Sequence, residues 1–308
     1  MKGKRILVTG ATGFIGSHLV ERLCTAGASA IAVVVWDTGW TAPDGVSTIS
    51  CDLRDRSTLS PVTAFKADVV FHLAGFSQVA LSYQRPDDCF DLNAKGTALL
   101  MEAVPDAGAI VYASTAEVYG PSAAVPFVET MAPAPVSPYA ISKYAGELLC
   151  LARASDGVRV RIARFSNVYG SGQAPGALVP AVIASCLRGA PVRTTAGVQT
   201  RDFLHVDDAV SGLLAAAGHT GAIEGAINLC SGSELSVRDL VLRVAALSGT
   251  RSVIELGAMP YRSNEVWRAF GDPTKARATL GWSAAVSLDD GLSRTIAAAR
   301  ARAGERSV

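Results

Sequence analysis

Short apolar runs alternate with longer amphipathic segments along the first half of the chain. The runs predict β-strands at Arg5–Thr9, Ala30–Trp36, Ser47–Cys51, Asp68–Leu73, Ala109–Ala113 and Val158–Phe165. The segments between them predict helices, among them Phe14–Thr25, Pro86–Val104 and Pro138–Ser155. Because the strands are apolar on both faces and are joined by crossover helices, we predict an α/β fold built on a doubly wound parallel sheet.

The net charge of the chain limits the classes of ligand that it can be expected to bind. The 308 residues carry 28 basic and 27 acidic side chains, a net charge of +1. This balance gives no basic field for nucleic acid or for an anionic membrane, so we expect a small-molecule ligand. No apolar stretch approaches the roughly 18 residues of a membrane span. The first apolar run is too short for a signal-peptide core, which predicts a cytoplasmic protein.

The cysteine and histidine positions predict no metal site. The cysteines are scattered without a CxxC pair and are typical of small buried residues in a reducing compartment: Cys24, Cys51, Cys89, Cys150, Cys186 and Cys230. No two histidines share a ligand spacing: they are His18, His72, His205 and His219.

A glycine-rich turn stands between the first predicted strand and the first predicted helix. In the sequence LVTGATGFIG, Gly10, Gly13 and Gly16 are spaced by three residues, and Phe14 and Ile15 lie at the helix start. Glycine permits a tight turn here and lets backbone N–H groups at a helix N-terminus approach a pyrophosphate. The turn therefore predicts a Rossmann-type dinucleotide site.

After about Tyr169 the regular alternation of predicted strands and helices ends. A loop-like stretch, Gly170–Gly176, leads into shorter elements, including amphipathic segments at Val206–Ala217 and Ser236–Leu247. We predict that residues 1–169 form the NAD-binding Rossmann domain and residues 170–308 a smaller α/β part that binds the substrate, with the chain interleaved at the boundary.

Further cofactor contacts are predicted at strand ends. Asp37 follows the second strand, where a carboxylate accepts hydrogen bonds from a ribose hydroxyl and repels a 2′-phosphate, which favours NAD over NADP. The alternative for Asp37 is an acidic residue of a surface loop. The other candidates are Asp52 and Leu53 near the adenine, and Leu73, Ala74 and Gly75 where a dinucleotide backbone could pass.

Tyr139 and Lys143 stand four residues apart at a predicted helix start and therefore share one face. A free tyrosine has a pKa of about 10, so only about 0.1% is phenolate at neutral pH. A neighbouring ammonium and a positive nicotinamide ring would lower that pKa by roughly three units and make Tyr139 a base. Taken alone, the pair is also compatible with an ordinary exposed helix surface.

Taken together, the motifs resemble the extended branch of the short-chain dehydrogenase/reductase superfamily, which acts on nucleotide sugars. They cover nearly the whole chain: TGATGFIG, HLAG, DLNAKGT, STAEVYG, YAISK, RFSNVYG, RDFLHVDD and GDPTKARATLGW. The resemblance implies NAD as cofactor and a nucleotide-diphosphate sugar as substrate. It also implies a homodimer formed through helices near Pro86–Val104 and Tyr139–Ser155.

The resemblance implies roles for individual residues. Thr115 would bond the C4 oxygen of the sugar beside Tyr139, Lys143 would hold the nicotinamide ribose, and Asn93 would lie at the cofactor. Tyr139 would take the C4 hydroxyl proton as hydride leaves C4. Glu117, two residues beyond Thr115 on the same side of the strand, could then remove the C5 proton. The alternative for Glu117 is a structural or solvent-facing acid.

Substrate contacts are implied in the same way. Arg201 and Arg262 match positions that grip the diphosphate, where the guanidinium fork suits phosphate oxygens. Asn167 matches a substrate-facing amide. Leu178, Val179 and Arg193 match nucleotide-side contacts.

The exact reaction stays open among three hypotheses. A 4-epimerase or 4,6-dehydratase returns the hydride to its own substrate, and Glu117 favours the dehydratase. A reductase of a 4-keto-6-deoxy sugar is favoured by Gly170–Gln173 and opposed by Asp37. The tail, RSNEV with GDPTKA, is similar to GDP-mannose 4,6-dehydratases and 4-keto-6-deoxymannose reductases, whereas Ala116 disfavours thymidine-diphosphoglucose dehydratases. A non-catalytic dinucleotide-binding regulator would not need Thr115, Tyr139 and Lys143 together.

Overall fold

Seven parallel strands form the central sheet. The computed structural model describes residues 1–35, 40–121, 124–262 and 265–305. In spatial order the strands are β3 (Val46–Ser50), β2 (Ala30–Val35), β1 (Arg5–Thr9), β4 (Val69–His72), β5 (Ala109–Thr115), β6 (Arg159–Phe165) and β11 (Ala226–Leu229). The order reverses between β1 and β4, which opens a crevice at their carboxyl ends.

The described residues form eleven α-helices, and part of them cover the two faces of this sheet. They are α1 (Phe14–Cys24), α2 (Ser60–Phe65), α3 (Val79–Ser82), α4 (Pro86–Phe90), α5 (Gly96–Ala103), α6 (Pro138–Ala152), α7 (Leu178–Arg188), α8 (Val206–Gly218), α9 (Val237–Ser248), α10 (Thr274–Leu280) and α11 (Leu288–Glu305). The single helix predicted at Pro86–Val104 is wrong in detail, because a π-helical turn, Asp91–Lys95, separates α4 from α5.

Alternating residues of each strand divide the core into two layers. On β1, Ile6 and Val8 pack with apolar residues of α1 and α8 on one face. Leu7 packs on the other face with residues of α5 and α6. Strand apolarity on both faces, from which the doubly wound sheet was predicted, is thus confirmed.

The C-terminal half builds a third core beside the sheet. Short strands pair there in small sheets: β7 (Asn167–Tyr169), β8 (Val192–Thr194), β9 (Thr200–Arg201), β10 (Phe203–His205), β12 (Leu235–Ser236), β13 (Ile254–Leu256) and β14 (Arg268–Ala269). Their apolar cluster includes buried residues of α7, α9 and α11. Strand β11 also comes from this half, yet it completes the central sheet beside β6.

Candidate active site

The glycine turn is packed backbone against backbone at the crevice. Gly10 has a φ of +70°, and a Cβ there would lie 2.5 Å from the backbone nitrogen of Ala74. A Cβ on Gly16 would lie 2.0 Å from the carbonyl oxygen of Gly10. Helix α1 has no side-chain cap at Gly13, so its first N–H groups can bind an anion. These residues fit the pyrophosphate of a dinucleotide, with Phe14 and Ile15 in the first turn.

Asn93 lies on the π-helical turn and fixes the segment that follows β4. Its Oδ1 accepts a hydrogen bond from the N–H of Phe76 at 2.8 Å. Its Nδ2 donates to the carbonyl of Phe76 at 3.1 Å and to the hydroxyl of Ser142 at 2.9 Å. A Cβ on Gly75 would come within 2.7 Å of Oδ1. The side chain therefore positions Gly75, with its polar atoms bonded inside the protein.

Helix α6 begins where the sequence predicts and carries Tyr139 and Lys143. The Ser137 hydroxyl accepts a hydrogen bond from the N–H of Ala140 at 3.1 Å, and Pro138 occupies the first helical position. This start sets the rotation of the helix and aims its first two turns at the end of the central sheet.

Three predicted catalytic side chains meet at this end. The Thr115 side chain lies close enough to the Tyr139 phenol to lower the pKa of that phenol. The Lys143 ammonium is buried, lies 4.2 Å from the ring centroid of Tyr112, and is 3.5 Å from the Cβ position of Gly75. The ammonium therefore lies beside Gly75 at the crevice, and Lys143 shares a face of α6 with Tyr139.

The electrostatics of this trio differ from the expectation for the phenol. Burial raises the pKa of Tyr139, and the Thr115 side chain opposes that rise only in part. Burial lowers the pKa of Lys143 to about 8, so the ammonium stays mostly charged at neutral pH. The lowered tyrosine pKa expected from the sequence is thus not produced by the protein alone, because desolvation outweighs the neighbouring groups.

A cleft open to solvent, with about 440 Å³ of free space, lies beside the trio. It brings together four residues predicted from the sequence: Thr115, Glu117, Asn167 and Arg201. Phe127, Phe165 and Ala269 add apolar walls that the sequence did not single out. The cleft is therefore the place where a sugar can reach Thr115.

Glu117 reaches the cleft by a different route from the one predicted. Strand β5 ends at Thr115, whose hydroxyl accepts a hydrogen bond from the N–H of Glu117 at 3.2 Å and caps a 3₁₀ turn, Ala116–Tyr119. The strand alternation used to place Glu117 is therefore wrong, although both side chains line the cleft. The carboxyl group is open to the cleft, yet the surrounding protein raises its pKa, and Arg201 and Arg262 oppose this rise.

Arg201 is already engaged by neighbouring groups. It donates to Glu265 at 2.6 Å and to the carbonyls of Thr200 at 2.7 Å and Val266 at 2.6 Å. Binding a diphosphate would require Arg201 to share or exchange these partners. Arg262 is exposed close enough to Glu117 to influence its pKa.

Other predicted contacts have structural partners. Asp52 is held by Arg54 at 2.8 Å, and Leu53 and Val179 are buried in the core. Leu178 begins α7 and is half-buried, whereas Arg193 is exposed and pairs with Glu255 at 3.3 Å on β13, outside the cleft lining. Asn167 donates to the carbonyl of Asp202 at 3.3 Å. Asp37 lies outside the described residues.

The sequence prediction missed a buried pair behind the site. Glu147 on α6 and Arg164 on β6 form an ion pair at 2.7 Å. The signal was available for Glu147, since it follows Lys143 by four residues on the same helix face.

None of the helices in the described part of the chain is both long and apolar enough to cross a bilayer. In the same ranges, no group of three or more His, Cys, Asp or Glu side chains is arranged to hold a metal ion.

Comparison with known sequences gives one family and closely related proteins. The model of the NAD dependent epimerase/dehydratase family matches residues 6–230. UDP-glucose 4-epimerase of Mycolicibacterium smegmatis is 34% identical over 309 residues, covering 95% of this chain and 97% of that protein. dTDP-glucose 4,6-dehydratase of Streptomyces griseus is 33% identical, with 95% and 93% covered. GDP-6-deoxy-D-mannose reductase of Pseudomonas aeruginosa is 31% identical, with 94% and 95% covered.

Solved structures show the same fold. UDP-glucose 4-epimerase of Thermotoga maritima with UDP-glucose has a TM-score of 0.91 at 29% identity, covering 97% of this chain and 99% of that chain. MoeE5 in complex with UDP-glucose and NAD has a TM-score of 0.86 at 35% identity, again with 97% and 99% covered.

Proposed function

Because the chain belongs to the NAD-dependent epimerase/dehydratase family, we propose that it oxidises a nucleotide-diphosphate hexose at C4 and later returns the hydride to the same sugar. The observation that carries this proposal is the placement of Tyr139, beside Thr115, and of the buried Lys143 on one face of α6 at the crevice. The extended dehydrogenase/reductase fold, the enzyme class and NAD dependence predicted from the sequence are confirmed at the level of the family.

Tyr139 acts as the base for the first step. Its phenolate form accepts the proton of the C4 hydroxyl and becomes the phenol, and the Thr115 hydroxyl holds the same sugar oxygen in line. NAD bound at the glycine turn would supply the acceptor for the C4 hydride and a positive charge near Tyr139. Lys143 adds a second positive charge and keeps the ribose in place. These charges offset the rise in the pKa of Tyr139 that burial causes.

Glu117 bears on whether 4,6-dehydration or 4-epimerisation follows the oxidation at C4. A ketone at C4 makes the C5 proton acidic, and a carboxylate in the same cleft can remove it. Its raised pKa makes it a better base than an ordinary glutamate. The position of Glu117 therefore supports 4,6-dehydration, in which the C6 hydroxyl leaves as water after loss of the C5 proton, the hydride returns to C6 and C5 is protonated again. A 4-epimerase is the second candidate, supported by the named relatives, since epimerisation needs only C4 oxidation and return on the other face.

Two variants test the proposal on purified protein supplied with UDP-, GDP-, CDP- and TDP-hexoses, with product read by mass spectrometry and NMR. Tyr139→Phe should lower turnover by a factor of at least hundreds with NAD still bound, and normal turnover would remove Tyr139 from the mechanism. Glu117→Gln should abolish a dehydratase and should affect an epimerase only mildly. Solvent deuterium at C5 of the sugar reports the same step directly.

We further propose how the parts are used. Residues 1–169 would hold NAD, with Asp37 at the ribose, and residues 170–308 would supply Arg201 and Arg262 to the diphosphate and Leu178 to the nucleoside. Two copies would associate through α4 and α6, where Phe90, Ile141 and Leu148 expose apolar surface. The expected compartment is the cytoplasm.

A further inference from the structure

One buried carboxylate joins three elements that carry the active site. Glu147 on α6 is 1% exposed and accepts hydrogen bonds from Nε and Nη2 of Arg164, on β6, at 2.9 and 2.7 Å. It also accepts a hydrogen bond from the hydroxyl of Ser114, near the end of β5. The guanidinium lies 4.7 Å from the ring centroid of Tyr119. A buried ion pair is weak evidence for stability, because desolvation offsets the attraction.

Each partner of this carboxylate adjoins the cleft. Ser114 directly precedes Thr115, and Arg164 directly precedes Phe165, which lines the cleft. Glu147 itself follows Lys143 by one helical turn on the same face of α6. The three hydrogen bonds therefore set the distance from the end of β5 to the face of α6 that carries the ammonium.

We propose that Glu147 is a positioning residue whose hydrogen bonds to Ser114 and Arg164 fix the α6 face that carries Lys143 against Thr115, and whose negative charge acts on the ammonium, an inference that rests on the function proposed above for Lys143. The carboxylate is buried and hydrogen-bonded at both oxygens, and its residue lies one helical turn from Lys143 on α6. A surface acid would be screened by water, whereas this one acts through a dry interior.

The groups that act on Lys143 include the carboxyl group of Glu147, which is paired with Arg164 of β6, and two thiols. Burial lowers the pKa of Lys143 to about 8, while Cys150, Glu147 and Cys89 raise it. Burial also raises the pKa of the Cys150 thiol to about 12 and that of Cys89 above its usual value, so both thiols are neutral near pH 8. The remaining titratable groups on this face come from β4, β5 and α6 and are uncharged there: His72, Tyr112 and Tyr139.

The test measures the pKa of Lys143 directly. The chain has six lysines, so a protein labelled with ¹³C at the lysine ε-carbons gives a tractable NMR titration: they are Lys2, Lys4, Lys66, Lys95, Lys143 and Lys275. The double variant Glu147→Met with Arg164→Met replaces the ion pair by apolar side chains, which buried sites often tolerate. We expect the pKa of Lys143 to fall by one unit or more, and the alkaline limb of turnover to move to lower pH by the same amount.

Two further variants separate charge from folding. Glu147→Gln keeps the shape and should lower the pKa of Lys143 in the same direction if the double variant does not fold. Arg161→Met is the matched control, because Arg161 is also buried on β6 but donates to the carbonyls of His219 and Gly221. It should change stability and leave the Lys143 titration unchanged.

An unchanged pKa of Lys143 in both Glu147 variants would overturn the proposal, as would an equal shift in Arg161→Met. The NMR titration needs no substrate. A shifted pKa in a protein that turns over none of the nucleotide sugars would therefore sink the proposed function and leave the link between Glu147 and Lys143 in place.

Discussion

The Nδ1 atom of His72 lies 2.7 Å from the hydroxyl oxygen of Thr9, where the carboxyl ends of β4 and β1 meet. On the other side of the ring, Nε2 lies 2.9 Å from the hydroxyl of Thr97, which donates to the carbonyl of Asn93 at 2.6 Å. Because Thr97 uses its proton on Asn93, His72 donates through Nε2 and accepts from Thr9 at Nδ1. Thr9 in turn accepts from the N–H of Ala74 at 3.1 Å. This network needs a neutral ring.

The buried neutral ring predicts that acid destabilises the protein. Burial lowers the pKa of His72 to about 3, well below its unfolded value. Between pH of about 6.5 and 3 the unfolded chain therefore binds a proton that the native state excludes. Stability falls as pH falls through this window, by up to about 1.4 kcal/mol per pH unit. Urea unfolding at a series of pH values should show a shallower loss for His72→Gln than for the parent.

His219→Gln is the control for this titration, because the His219 ring is only half-buried at the end of α8. It should keep the acid slope of the parent. Equal slopes for the parent and His72→Gln would mean that His72 gains its proton in the native state, contrary to the hydrogen-bond network.

Gly16 predicts a specific loss of cofactor. In Gly16→Ala the new methyl group would stand 2.0 Å from the carbonyl oxygen of Gly10, so the turn that faces the pyrophosphate must move. We expect the amount of NAD that copurifies with the variant to fall at least tenfold, measured after acid release by absorbance. Gly218→Ala is the control, since no atom lies within 4 Å of its Cβ position. Full NAD content in Gly16→Ala would contradict this placement of the cofactor.

Local patterns predicted the parts of the site that depend on neighbours in sequence. The glycine turn after β1 and the start of α6 at Pro138 are set by residues within one turn of each other, so their spacing could be interpreted directly. The strand β5 was predicted too short by two residues, because Ser114 and Thr115 are polar although both are buried.

The features that the sequence analysis did not predict depend mainly on contacts between distant parts of the chain. Strand β11 has only four residues, and it is a strand of the central sheet because it pairs with β6, more than sixty residues earlier. Arg201 meets Glu265 from a position 64 residues away. The 3₁₀ turn that re-aims Glu117 depends on a cap by Thr115, which strand alternation does not include.

Arg201 and Arg193 are predicted to differ in their effect on substrate affinity. Arg201 lines the cleft, whereas Arg193 pairs with Glu255 outside it. Removing a charge-assisted hydrogen bond costs roughly 1.5–3 kcal/mol, so Arg201→Met should weaken binding of a nucleoside diphosphate by about ten- to a hundredfold in calorimetry on the NAD-loaded protein. Arg193→Met should stay within about threefold. Equal losses of affinity in the two variants would instead support the nucleotide contact that the sequence predicts for Arg193.

Leu148 offers a test of the proposed dimer. It is 51% exposed on α6, seven residues after Ile141, which is 40% exposed, so both lie on one apolar stripe of that helix. In a dimer through α6, the carboxylate of Leu148→Glu would be buried without a partner, and the subunits should separate. Sedimentation should then show a monomer for Leu148→Glu and a dimer for Leu242→Glu, whose site on α9 is 41% exposed and away from this stripe. A parent that sediments as a monomer, or a Leu148→Glu variant that remains dimeric, would place the subunit contact elsewhere or remove it.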